Sequence, residues 1–239
     1  MLKLCLTAAY EKHLIGNVVD KICLPKTVSK DVKVLTKQEQ KRLEQVIEAE
    51  NKENDIGILI CLYTGIRIGE LCALKWENIN LDRKIMTIDK TMYSVQSNDG
   101  KCKTKIILSS PKSVNSERDI PIAELLSEKL SKIQKSEGFV INRNGKYIEP
   151  AVYSRRYKKL LEKAGIEYMM FHSTRHTFSV RARELGVDVQ TLSEILGHSS
   201  VSTTLNFYGH SLQEHKHNQM ERIGGLFSQS KISRQKIET

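Results

Sequence analysis

The apolar residues of this 239-residue chain change period twice, from helical to strand-like and back, which restricts the chain to a mixed architecture. Residues 2 to about 15 carry Leu2, Leu4, Leu6, Ala9 and Leu14, a loosely amphipathic helix that Gly16 would close. Lys21 to Lys33, with Pro25, reads as a basic linker. Thr36 and Glu39 form a T-x-x-E capping box opening a helix whose apolar positions include Leu43, Val46 and Ile47. A second, more apolar helix covers about Ile56 to Tyr63, with Gly65 placed to end it in the left-handed conformation, and a short helix runs from about Arg67 to Lys75. The pattern then alternates. Lys84 to Asp89, Lys103 to Ser109 and Glu117 to Ile122 read as strands, with Asn98-Asp99-Gly100 as turn chemistry between the first two and Ser113 to Ser116 as a polar turn before the third. Helices return at about 123–136, 151–164, 173–185, 188–196 and 211–223, interrupted by a short strand near Phe139 to Asn142 and a turn at Asn144-Gly145. The expected fold is mainly α with a small antiparallel β-sheet on one edge, an α+β arrangement.

Lys and Arg outnumber Asp and Glu by 38 to 28, a net charge of +10. Such a surplus suits a polyanionic partner, because each neutralised phosphate releases condensed counterions; a merely basic protein is the alternative. Cys5, Cys23, Cys61, Cys72 and Cys102 are odd in number and show no C-x-x-C spacing, which points to reduced thiols in a cytoplasm and away from a disulfide framework or a zinc site. Cys61 and Cys72 fall in apolar helical patterns and read as small core residues. No apolar run approaches the roughly 20 residues of a membrane span.

Three blocks carry candidate chemistry. In Thr64-Gly65-Ile66-Arg67-Ile68-Gly69-Glu70-Leu71, Arg67 stands at a helix start, where a guanidinium can join backbone amides in holding a phosphate; a surface pair with Glu70 is the alternative. In Phe171-His172-Ser173-Thr174-Arg175-His176-Thr177-Phe178, His172 and Arg175 share a helix face, offering a proton-transfer group beside a fixed cation. Ser173 is placed to cap that helix, and His176, one step around, reads as structural. In Leu196-Gly197-His198-Ser199-Ser200-Val201-Ser202-Thr203-Thr204-Leu205-Asn206-Phe207-Tyr208-Gly209-His210, Gly197 ends a helix and exposes His198, and Tyr208 follows a Ser/Thr-rich segment. A tyrosine nucleophile needs a cationic site, since a free phenol has a pKa of about 10.

These blocks, in this order, resemble the tyrosine recombinase (phage integrase) family, whose signature runs R, K, H-x-x-R, H or W, then Y. Arg67, Lys112, His172, Arg175, His198 and Tyr208 match it over roughly residues 34 to 225. Lys112, in the turn Ser110-Pro111-Lys112-Ser113, is the weakest match, with Lys103 and Lys105 nearby. The long strand region from Lys90 to Lys112 and the phrase Y-G-H-S-L-Q-E-H-K are more similar to integrases of Gram-positive phages and conjugative transposons than to resolvases.

The resemblance implies the tyrosine recombinase catalytic fold and a site-specific recombinase acting through a 3′-phosphotyrosyl intermediate, integrating or excising a mobile element. Tyr208 would be the nucleophile; Arg67, Arg175 and His198 would meet the transition-state charge; Lys112 would protonate the leaving 5′-oxygen; His172 would accept the phenol proton. Glu70 would orient Arg67, and Arg67, Lys112 and Arg175 would contact DNA. No metal and no cofactor are expected. The implied partners are double-stranded DNA, three further copies in a homotetramer on synapsed DNA, and an accessory excision factor, with the nucleoid as the place of action and no membrane. The expected organisation is 1–25 as a remnant of the core-binding domain and its linker, 26–210 as the catalytic domain, and 211–239 as a tail helix exchanged between protomers. In that tail Leu212, Met220, Ile223 and Phe227 form a narrow apolar stripe. A resolvase or type IB topoisomerase-like enzyme would share the chemistry; a non-catalytic helical DNA-binding regulator would not need all six residues.

Overall fold

In the computed structural model, which describes residues 2–13, 33–96, 104–109, 117–198 and 220–221, the chain divides into two units, Met1–Val32 and Lys33–Thr239. Of the first unit, helix α1 (Leu2–Glu11) is described. It stops at Glu11, and His13 takes a positive φ of 57°, so the helix ends before the Leu14–Gly16 stretch expected to close it, which lies outside the described residues.

The second unit opens as its capping box predicts. Thr36 Oγ1 accepts from the Glu39 amide at 3.2 Å while the Thr36 amide donates to Glu39 Oε2 at 2.8 Å, starting α2 (Lys37–Glu50). Leu43 and Ile47 are its buried contacts. Helix α3 (Ile56–Thr64) is apolar on every side and buried at every position but Tyr63, the behaviour of a helix at the centre of a core. Around it pack α4 (Ile68–Ala73), α5 (Glu124–Ser131) and α7 (Ser173–Glu184). Each fully buried Leu or Ile there contributes about 1.5–3 kcal/mol. Cys61 and Cys72 are among these core residues, as their patterns predict. Helix α4 ends at Ala73, short of Lys75.

The strands differ from the expected pairing. β1 (Ile79–Asn80), β2 (Ile85–Ile88) and β5 (Arg118–Pro121) form a three-stranded antiparallel sheet with β2 in the middle. β4 (Thr104–Ser109) pairs instead with β3 (Thr91–Gln96), a strand within the long strand region from Lys90 to Lys112 but not resolved there as an element of its own. Asn98-Asp99-Gly100 therefore falls between β3 and β4, with β3 separating it from β2, and lies outside the described residues. Lys84, at φ 51°, makes the tight return from β1 to β2. A hairpin of β6 (Asn142–Arg143) and β7 (Lys146–Tyr147) turns at Asn144 and Gly145, both with positive φ, as expected of Asn-Gly.

Helix α6 (Pro150–Lys163) starts with proline in its first turn and buries Tyr153 and Tyr157, whose rings meet Phe171 edge-on at 5.7 and 5.1 Å. α5 ends at Ser131, about a turn before the expected boundary. Helix α8 (Val189–Leu196) is capped by Asp188 and packs Leu192 and Leu196 against Ala182 and Phe178 of α7. Leu35, fully buried, is fastened to α7 at both backbone atoms: its amide donates to Thr177 Oγ1 at 3.0 Å and its carbonyl accepts from Arg181 Nη2 at 2.7 Å. Beyond His198 only Met220 and Glu221 are described; they are helical, and the rest of the expected 211–223 helix lies outside the described residues.

Candidate active site

Two helix C-termini and two helix N-termini build the site. Helix α3 ends at Gly65, in the left-handed region at φ 70°, with its amide bonded to Cys61 O. A Cβ at Gly65 would lie 2.5 Å from Phe178 Cδ1 and 2.8 Å from Leu196 Cδ2, so glycine is needed for both conformation and space. The turn buries Ile66 and delivers Arg67 as the N-cap of α4. Glu70, in the first turn of α4 and 4% exposed, reaches back to the Arg67 amide at 2.8 Å and binds Arg67 Nη1 at 2.8 Å. The pairing of Arg67 with Glu70 is thus real, but Glu70 is buried, and Arg67 keeps 38% of its side chain open.

On α7, Arg175 is 3% exposed and donates from Nη1 to Gly65 O and from Nη2 to Leu196 O, both at 2.8 Å. His172 sits at the N-cap of α7 with an exposed face, and its ring meets that of His176 at right angles, centroids 4.5 Å apart. Ser173 does not cap the helix as expected: it is buried, and its hydroxyl is 3.1 Å from Tyr157 Oη. The buried tyrosine hydroxyl needs a partner, and that demand outweighs the cap.

The end of α8 accounts for every carbonyl of its last turn. Gly197, at φ 63°, closes a Schellman motif: its amide bonds Glu194 O and the His198 amide bonds Ser193 O at 3.1 Å. Ile195 O, Leu196 O and Gly197 O remain. Each is taken by a guanidinium: Arg118 Nε at 2.6 Å, Arg175 Nη2 at 2.8 Å and Arg67 Nη2 at 3.2 Å. The negative end of the helix dipole thereby holds three cations beside half-buried His198.

Charge and burial set the protonation states. Burial alone would raise the Glu70 carboxyl, but hydrogen bonds and charge from Arg118 and then Arg67 hold it below the usual carboxylate range. Burial, followed by the Arg67 charge, brings Arg175 down to about 9, which leaves it a cation at neutral pH. Desolvation, then Arg175 and Arg67, lowers His172; desolvation, then Arg175 and Arg67, lowers His198 to about 4. His176 is also held at about 4, by desolvation and then by His172. At neutral pH the site therefore presents neutral imidazoles beside three guanidiniums and one carboxylate, a surface built for an anion. Among the described residues no group of three or more His, Cys, Asp or Glu is arranged to hold a metal ion.

Arg67, Glu70, His172, Arg175 and His198 thus converge. Lys112 and Tyr208 lie outside the described residues, as does Lys103; Lys105 is exposed on β4. One participant escaped sequence reasoning. Arg118 opens β5 on the same strand face as buried Ile120, and its side chain is only 7% exposed. An arginine at an inward strand position demands a buried carboxylate partner, and that was the available signal.

Residues 33–215 match the phage integrase family. The chain belongs to that family. It aligns with proteins named as recombinases, transposases and integrases. It is 30% identical over 231 residues to a XerC-like tyrosine recombinase of Caldanaerobacter subterraneus, covering 87% of this chain and 59% of the relative. It is 25% identical over 238 residues to the transposase of transposon Tn916 from Enterococcus faecalis, covering 90% and 55%. It is 27% identical over 218 residues to the ICEBs1 integrase of Bacillus subtilis, covering 85% and 57%. The chain thus spans less than two thirds of the length of these relatives. Its fold matches the Tn1549 transposon integrase, solved in complex with a circular intermediate DNA, at a TM-score of 0.72 and 23% identity, over 93% of this chain and 76% of that one. It also matches XerA recombinase at 0.62 and 22%, over 92% and 73%. The mainly α fold with small antiparallel sheets is therefore that of tyrosine recombinases. No helix among the described residues is long and apolar enough to cross a membrane.

Proposed function

We propose that this chain is the catalytic part of a site-specific DNA recombinase that integrates or excises a mobile element. The observation that carries the proposal is the convergence of Arg67, Arg175 and His198 on the last turn of α8, with His172 beside them. A phosphodiester in in-line displacement gathers negative charge on its non-bridging oxygens, and preassembled guanidiniums stabilise that charge without reorganising. Each arginine keeps donors to spare: Arg175 commits two of its five N–H groups to carbonyls. The names of the Tn916, ICEBs1 and Tn1549 relatives support a mobile element as the setting.

In this reading Tyr208 Oη attacks phosphorus, its proton passes to neutral His172, and the bond to the 5′-oxygen breaks as Lys112 supplies a proton to it. The product is a 3′-phosphotyrosyl link and a free 5′-hydroxyl; attack by a second 5′-hydroxyl reverses the step on another duplex. The bond count is conserved, so no nucleotide is consumed. Because the charge is met by Arg67 and Arg175, cleavage is expected to persist in excess EDTA. We further propose a homotetramer on paired sites, a tail from residue 211 that docks on a neighbouring protomer, an accessory excision factor as partner, and residues 1–25 as the end of a core-binding domain.

The test is Tyr208→Phe. It should abolish the SDS-resistant protein–DNA adduct and leave DNA affinity within about threefold, because only the nucleophilic oxygen is lost. An adduct formed by the variant would move the nucleophile elsewhere.

A further inference from the structure

We propose that Arg118 is a positioning residue of this site, closing a ring of hydrogen bonds that fixes Arg67 and the Gly197–His198 turn before a phosphate arrives. The inference rests on the reading above and deepens it.

The ring starts and ends in the last turn of α8. Ile195 O accepts from Arg118 Nε at 2.6 Å. Arg118 Nη2 and Nη1 reach Glu70 Oε2 and Oε1 at 3.0 and 3.3 Å. The same carboxylate binds Arg67 Nη1 at 2.8 Å, and Arg67 Nη2 returns to Gly197 O at 3.2 Å. Arg118 therefore joins three parts of the chain: its own strand β5, whose register against β2 pairs Ile88 with Arg118; the start of α4; and the end of α8. A planar guanidinium can fork onto a carboxylate while its Nε faces a carbonyl; a lysine ammonium cannot do both. The fit is close, since a Cβ on Gly197 would fall 2.8 Å from Arg118 Nη1.

Arg118 does not itself meet the substrate. Only 7% of its side chain is exposed, against 38% for Arg67. Its second effect is electrostatic. Glu70 faces both guanidiniums, so neither is fully neutralised, and the exposed one keeps charge for a phosphate. Without Arg118 the whole carboxylate falls on Arg67. The turn that carries His198, and through it the segment leading to Tyr208, also loses its anchor to the sheet.

The experiment uses the full chain and duplexes drawn from a random-sequence pool by covalent capture on the wild-type protein. Failure of the wild type to capture any duplex overturns the recombinase reading, not this inference. With a captured duplex resynthesised, Arg118→Lys and Arg118→Gln are compared with wild type for single-turnover adduct formation. The comparison is made on the ordinary scissile phosphate and on a neutral methylphosphonate at that position. On phosphate, both variants should slow by about 100-fold with little change in DNA affinity, the scale expected when a reacting group is displaced by roughly 1 Å. On methylphosphonate that gap should shrink by about tenfold or more, because there is less anionic charge for Arg67 to meet. Equal losses on both substrates, wild-type rates, or the failure of both variants to fold would each overturn the proposal in favour of a purely structural arginine.

Discussion

His172, His176 and His198 crowd the arginine cluster, and all three are pushed toward the neutral form, His176 and His198 to about 4. A histidine with a depressed folded value binds fewer protons folded than unfolded. Its contribution to stability is complete above the unfolded value near 6.5 and is lost as pH falls toward 4. The melting temperature should therefore drop between pH 7 and pH 5, and His176→Phe, which keeps a ring against His172 without a titrating nitrogen, should flatten that drop. A phosphate among the same residues reverses the local field, so DNA binding near pH 5.5 should take up protons, read by calorimetry in buffers of different ionisation enthalpy. Binding without proton uptake would place the phosphate away from His198. Glu70→Gln tests the other sign of charge. It removes the buried carboxylate that two guanidiniums face and should cost about 3 kcal/mol or more in urea denaturation.

At the scale of elements, Gly65 and Gly197 turn helix ends into ligands for arginines. Gly65→Ala forces a Cβ into Phe178 and Leu196 at a positive φ and should destabilise the fold by about 2–3 kcal/mol. Gly138, also at positive φ but with open space around it, should lose only the conformational part on Gly138→Ala. The helices that could be read from sequence were those with local signals: the Thr36–Glu39 box, the all-apolar run of α3, the glycine after it. The strand pairing was misread because the short apolar runs of β2 and β4 say nothing about which strand each pairs with; the intervening Thr91, Tyr93 and Val95 of β3 mark the hairpin that takes β4. Of the site, Arg67, His172, Arg175 and His198 could be read because each lies in a local motif. Arg118 offers only its inward strand position beside Ile120, because its partners Glu70 and Ile195 are 48 and 77 residues away and no local motif ties them to it. Ser173 was misread for the same reason, its partner Tyr157 being on another helix.

For the molecule as a whole, a net charge of +10 predicts DNA affinity that falls by orders of magnitude between about 50 and 200 mM salt, since phosphate contacts release counterions. Salt-independent binding would argue against a phosphate-dominated surface. Ending the chain after His210 should weaken synapsis of two DNA sites while leaving single-site binding unchanged, because the apolar stripe of Leu212, Met220, Ile223 and Phe227 is then gone. Undiminished synapsis would remove the tail from assembly. The fastening of Leu35 has a mechanical meaning as well. Both backbone polar atoms of that one buried residue are tied to α7, the helix that carries Arg175. A displacement of the chain at residue 35 therefore acts through two hydrogen bonds on the helix that carries Arg175, so the register of this short segment and the seating of that guanidinium are set together.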